Sequence, residues 1–253
     1  RSMHEFSMSP LNSNILSSIN FAENTAVICL DCMSFSEWFA IKYHLSEYGI
    51  NHFEEKFSLA IIPSVTKYSR MSIFEGRNPL DSDKKNEEKA FKEYLGLLDY
   101  DQNSILFKNL REIDINYDGY DKIGLIYTFI DEIVHGSINK KMTILSVIDI
   151  LNSLKFGKLI SELLKNNYTI YLTSDHGNVY CKSTEINLAK QMVDEKDTRV
   201  AIYTKQNLAE EIQWDSKICL NFPTIMGSDK YIVTDIKRKN FGNRTEGLSH
   251  GGI

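Results

Sequence analysis

Three apolar runs of strand length each lead into an aspartate, and this pattern limits what the chain can fold into. Ala26-Val27-Ile28-Cys29-Leu30 runs into Asp31, Ile123 to Phe129 runs into Asp131, and Tyr168 to Leu172 runs into Thr173-Ser174-Asp175-His176-Gly177. A short, unbroken apolar run reads as a strand buried on both faces of a sheet. Between these runs the spacing turns helical. Trp38, Ile41, Leu45 and Tyr48 mark a helix over 34–48, with Ser34 as its N-cap and Gly49 as its stop. Ile150, Leu154, Leu159 and Leu163 predict one long amphipathic helix over 146–165. Strands alternating with helices predict an α/β fold, a mostly parallel sheet flanked by helices. Ligands of such sheets bind beyond the carboxyl ends of the strands, so three distant carboxylates can converge on one crevice.

The rest of the chain is less patterned. Residues 57–62 predict a further strand, stopped by Pro63, and 64–74 a turn into a short helix that closes near Gly76. From Arg77 to about Asp121 the texture becomes polar apart from a charged helix over 87–98, which predicts a small inserted cap. Residues 199–203 and 231–233 predict later strands. The domain reading is a lead-in over 1–24 and one domain over 25–253, with Arg1, Ser2 and Met3 set aside as a remnant of expression.

A length of 253 residues with 42% hydrophobic and 25% charged content suits one large domain. No apolar stretch has the length to cross a bilayer, and no signal-peptide pattern opens the chain. The net charge of −5 argues against non-specific binding of long nucleic acid, which calls for a basic surface. Lys237, Arg238, Lys239 and Arg244 are a local exception, either a solvated loop or a grip for a phosphate flanking the site. Cys29 and Cys32 form a lone C-x-x-C with no second pair to complete a zinc knuckle, so core packing in a reducing, cytoplasmic compartment is expected.

Four short motifs carry chemistry. In Asp175-His176-Gly177 a carboxylate and an imidazole can reach one cation, although a polar loop has the same composition. Asp131 and His135, in D-x-x-x-H spacing, stand one helical turn apart and can chelate a metal, or serve as a capping acid and a surface histidine. In Pro63-Ser64-Val65-Thr66 a hydroxyl meets a helix start, where it can be an activated nucleophile or an ordinary N-cap. His250-Gly251-Gly252 is a third imidazole setting, or a plain tail.

Taken together, Asp31, Thr66, Asp131 with His135, Asp175 with His176, and His250 resemble the alkaline phosphatase superfamily of metallohydrolases in order and strand-end setting. Within it the chain is most similar to the PglZ domain, through Ile28-Cys29-Leu30-Asp31, the stretch Leu59 to Arg70, Leu172 to Gly177, and Ser249 to Ile253. The likeness spans Val27 to Ile253, with little from 77–121. It implies two metal sites, one of Asp31, Asp175, His176 and the Thr66 hydroxyl, the other of Asp131, His135 and His250. Mixed nitrogen and oxygen ligands suit two zinc ions, with manganese as the alternative. Three carboxylates facing two divalent cations leave a positive excess, which attracts a phosphate. The sulfatase pattern C-x-P-x-R is absent, and so is the long insertion of cofactor-independent phosphoglycerate mutases. Ser69 aligns with an oxyanion-binding Asn of related phosphodiesterases, and Lys67 or Arg70 can replace that donor, unless Arg70 is a helix-surface charge.

The resemblance implies a phosphoryl-transfer hydrolase with Thr66 as nucleophile and a part in bacterial anti-phage defence, with other proteins of a defence complex as partners. Phosphodiesters of nucleotides or short single-stranded nucleic acid are the expected substrates. A phosphomonoesterase or phosphomutase, and a scaffold module that has kept its ligands, are the alternatives.

Overall fold

Strand β1 (Thr25–Leu30) is buried at every residue and sits between two parallel neighbours, β3 (Lys122–Tyr127) and β4 (Thr169–Thr173). β2 (Ile105–Leu110) pairs parallel with the far side of β3, giving the order β2-β3-β1-β4. This computed structural model describes residues 11–77, 86–110, 116–137, 139–186, 188, 195–196, 199–212, 217–221, 230–235, 237–241 and 246–250. The expected parallel sheet flanked by helices is therefore present.

The continuous apolar runs follow from this double-sided burial, because successive residues of a strand face opposite layers. Ala26, Ile28 and Leu30 pack with one helical layer, α1 (Phe35–Ser46), α4 (Phe129–Gly136), α5 (Lys140–Ser153) and α6 (Phe156–Lys165). Val27 and Cys29 pack with the other, α2 (Thr66–Glu75) and α3 (Glu87–Gly96), around Phe74, Phe91 and Phe107. Cys29, Cys32, Cys181 and Cys219 are all free thiols, and Cys29 is a core residue as expected.

Several expectations are corrected. Residues 57–62 make one isolated bridge, Leu11 to Leu59, instead of a strand, and Phe57 and Leu59 stay exposed. Their apolar content found no sheet edge to join. The helix over 146–165 is two helices, since Lys155 takes a left-handed conformation (φ 57°) between α5 and α6. The residue that turns is a lysine, with Gly157 two places further on inside α6, so periodicity ran through the break. The turn lets Phe156 meet Tyr127 edge to face. Described residues of 77–121 supply α3 and the edge strand β2 to these layers, and Leu16 and Phe21 of the lead-in pack into the core beside them. His4, Arg244 and residues 251–253 lie outside the described residues.

Two smaller sheets follow β4. β5 (Val179–Ser183) lies between β10 (Lys239–Asn240), parallel, and β11 (Glu246–Ser249), antiparallel. β7 (Val200–Tyr203) and β9 (Tyr231–Asp235) form the centre of the other, flanked by β6 (Glu195–Lys196) and β8 (Lys217–Asn221), with α7 (Gln206–Glu211) packed on it. Residues 199–203 and 231–233 are thus strands as predicted, although in an antiparallel sheet of their own.

Candidate two-metal active site

The carboxyl ends of β1 and β4 are adjacent, because Cys29 pairs with Thr173, and the turns that leave them are stitched together. The Cys32 N–H donates to Asp175 Oδ1 at 3.1 Å, the Met33 N–H to Ser174 Oγ at 3.0 Å, and Asn178 Nδ2 to the Cys32 carbonyl at 2.8 Å. A positive φ of 66° at Cys32 turns the chain sharply after Asp31. Gly177 allows the close approach, since a Cβ there would lie 3.3 Å from that of Ser34.

The result is a buried trio of Asp31, Asp175 and His176. His176 Nε2 stands 3.7 Å from Asp31 Oδ1 and 3.6 Å from Asp175 Oδ2. Two carboxylates deep in the protein and close together are costly unless a cation joins them. Burial pushes the Asp31 carboxyl up to about 8, the charge of Asp175 adds to the rise, and Arg70 pulls it back. The Asp175 carboxyl is also raised, first by burial.

The second trio, Asp131, His135 and His250, lies nearer the surface, with His135 half exposed. Asp131 sits in the first turn of α4, rather than directly at the end of β3, and His135 one turn on. His250 follows β11, which the ladder with β5 brings back toward His176. Its Nε2 lies 3.3 Å from Asp131 Oδ1 and 3.0 Å from His135 Nε2, which is itself 3.4 Å from Asp131 Oδ1. The two trios touch, for the His176 and His250 rings stack at 4.9 Å.

The donor set fits two divalent cations. Asp31 Oδ1 and Asp131 Oδ1 are buried without a hydrogen-bond partner. Asp31 Oδ1 is faced by the one imidazole of its trio, His176, and Asp131 Oδ1 by both of its own, His135 and His250. Two imidazole nitrogens aimed at one carboxylate oxygen satisfy each other poorly by hydrogen bonding and well through a shared ion.

Thr66 is the first residue of α2, and the N-cap is Val65, which has no side-chain donor or acceptor. The Thr66 hydroxyl instead meets His176 Nε2 at 2.9 Å. Ser69 is fully buried and donates to the Asp175 backbone carbonyl, so its hydroxyl braces a ligand turn instead of facing a substrate. Arg70 bridges Asp31 Oδ2 at 2.7 Å and Glu87 at 3.0 Å. The Lys67 ammonium lies over the Tyr68 ring. The structure thus brings together Asp31, Thr66, Asp131, His135, Asp175, His176 and His250, and places Ser69 and Arg70 behind them.

Sequence reasoning missed the brace beneath the site. Buried Glu37, at N3 of α1, accepts from the Ser34 backbone and hydroxyl as a capping box and pairs with Lys140 at 2.8 Å. Lys140 also donates to Ser34 Oγ at 2.8 Å and Asn178 Oδ1 at 2.5 Å, tying the start of α5 to both ligand turns. The signal available was Ser34-x-x-Glu37, a capping-box pattern, but nothing local pointed to Lys140.

A parallel sheet with these residues at its carboxyl end defines an alkaline phosphatase-like phosphoesterase fold. Two solved structures share it: mouse ectonucleotide pyrophosphatase/phosphodiesterase 5, and an inactive variant of the same protein in complex with AMP. The variant aligns with a TM-score of 0.61 at 10% identity, and the unmutated protein with 0.56 at 12%; each alignment covers 91% of this chain and 84% of the other. At such identities the likeness establishes the fold. No match to a curated protein was found. The chain matches the BREX system PglZ alkaline phosphatase-like domain over residues 14–253 and belongs to the PglZ family.

Proposed function

We propose that this domain is a two-metal phosphodiesterase, acting on nucleotide or short oligonucleotide phosphodiesters as part of a bacterial anti-phage system. The observation that carries the reading is the pair of touching ligand trios with the Thr66 hydroxyl 2.9 Å from His176. Asp31, Asp175, His176 and Thr66 would hold one ion, zinc or manganese, and Asp131, His135 and His250 the other. Bound there, the ions supply Lewis acidity and countercharge for the phosphoryl group. Thr66 Oγ1 attacks phosphorus, the bond to the ester oxygen breaks, and that oxygen takes up a proton in exchange for the one the threonine hydroxyl gives up, so that an alcohol leaves. Water then attacks the threonine-linked phosphodiester, which restores the hydroxyl and releases the phosphomonoester.

Charge supports a diester over a monoester. A monoester brings an extra negative charge and calls for a cation beyond the metals. Arg70, well placed in sequence to provide it, is engaged with Asp31 and Glu87. The defence role rests on membership of the BREX system PglZ alkaline phosphatase-like family. Free thiols at all four cysteines support a reducing, cytoplasmic setting. No helix of the described residues is long and apolar enough to cross a membrane.

The test compares bis-p-nitrophenyl phosphate, p-nitrophenyl phosphate and a dinucleotide with zinc and with manganese. Faster turnover of the diesters is expected. A clear preference for the monoester would overturn the diester assignment, and phosphate transfer without net release would point to a mutase.

A further inference from the structure

β5 leaves the site and ends in a cluster of cations. Val179 pairs with Ser249, immediately before His250, and three residues on Lys182 pairs with Glu246 on one side and Lys239 on the other. Three residues of strand span roughly 10 Å. The turn preceding β10 adds Lys237 and Arg238, both exposed. That turn is firmly built: buried Asp235 accepts the Lys237 and Lys239 backbone N–H groups on Oδ1, at 2.6 and 3.2 Å. Among the described residues, Lys182, Lys237, Arg238 and Lys239 make no ion pair. Glu246, opposite Lys182 in the ladder, is the one acid that pairs with this stretch of β5 among the described residues. Lys182, Lys237, Arg238 and Lys239 thus outnumber the nearby acids Glu246 and Asp235, a local excess of positive charge in a chain of net charge −5.

Tyr180 lies between the site and the cations. It shares a face of β5 with Lys182 by strand alternation, and both side chains are exposed, whereas Cys181 between them is buried. An exposed aromatic followed by cations along a line is the composition that binds single-stranded nucleic acid, bases stacking on the ring and phosphates on the cations.

We propose that β5 and the 237–239 turn form a second subsite for the nucleotides flanking the scissile phosphate, with Tyr180 stacking a base and Lys182, Lys239 and the turn holding the next phosphate. The proposal deepens the phosphodiesterase reading and rests on it for the identity of the ligand. It makes a single strand of several nucleotides a better ligand than a dinucleotide or a cyclic nucleotide, which end at the metals.

The test separates the two. Fluorescence anisotropy with a 5′-labelled tetranucleotide and dinucleotide, without added divalent metal, reads the subsite alone. The wild type is expected to bind the tetranucleotide about tenfold more tightly than the dinucleotide, one stacked base and one phosphate contact being of that size. Lys182→Gln with Lys239→Gln should remove most of that preference and flatten the salt dependence, and Tyr180→Ala should remove part of it. Lys237→Gln with Arg238→Gln, outside the strands, repeats the test should the strand variants fail to fold. No length preference in the wild type, or one that survives both double variants, overturns the subsite. Turnover of bis-p-nitrophenyl phosphate by the metal-loaded wild type reads the metal site instead. Its absence would sink the phosphodiesterase reading and leave the anisotropy result standing.

Discussion

The ring of His250 stacks on that of His176, with centroids 4.9 Å apart and planes inclined by 14°, although the two belong to different ligand trios. The contact joins a residue that follows β11 to one that follows β4, so one side chain closes the second trio and packs on the first.

His250→Ala is expected to weaken one metal site far more than the other. Asp131 and His135 alone leave two protein ligands where a catalytic zinc commonly has three. Titration calorimetry with zinc should show one tight site kept and the other weakened by about tenfold or more. Equal weakening at both sites would argue that His250 serves only as a spacer between the rings.

Thr66→Ala should abolish turnover and leave the melting temperature nearly unchanged. Val65 occupies the N-cap, so no capping bond is lost, and the usual cost of a deleted cap, about 1 kcal/mol, does not apply. A variant that retains most of its diesterase rate would remove Thr66 from the nucleophile role.

Lys140→Met leaves the Glu37 carboxylate buried without its cation, and a broken buried pair costs on the order of 3 kcal/mol. Urea unfolding should show a loss of that order. Adding Glu37→Gln should recover part of it, because the charge left behind is then gone. A loss of only a few tenths of a kcal/mol would make the pair an ordinary surface contact.

His44 supplies a pH dependence outside the metal site. Its side chain is fully enclosed, its Nε2 accepts from the Gly157 N–H at 3.2 Å, and burial holds it below its ordinary value of 6.5. A group depressed in the folded state contributes stability that is present above the unfolded pKa and is lost as pH falls toward the folded one. Urea midpoints should therefore drop as pH falls below about 6.5. In His44→Gln that part of the drop should be absent, and an unchanged pH profile would count against the assignment.

The strands that lead into the two trios were legible because a buried parallel strand leaves an unbroken apolar run, as at Ala26 to Leu30. The same cue misled at 57–62, where the apolar residues have no sheet edge to join. The residues of the two trios were legible as motifs at strand ends, and Asp131 and His135 as helical spacing. Partners set by tertiary approach left no local trace. Arg70, in sequence either an oxyanion donor or a helix-surface charge, pairs with Asp31 and Glu87, and Ser69 turns to a backbone carbonyl. The break at Lys155 was hidden because a lysine rather than a glycine takes the left-handed turn.

Metal content per chain tests the two-ion site most directly. Elemental analysis of protein equilibrated with zinc or manganese and then desalted should give close to two ions per chain, falling to about one in Asp175→Ala. No retained transition metal in the wild type, or the same content in Asp175→Ala, would contradict the site.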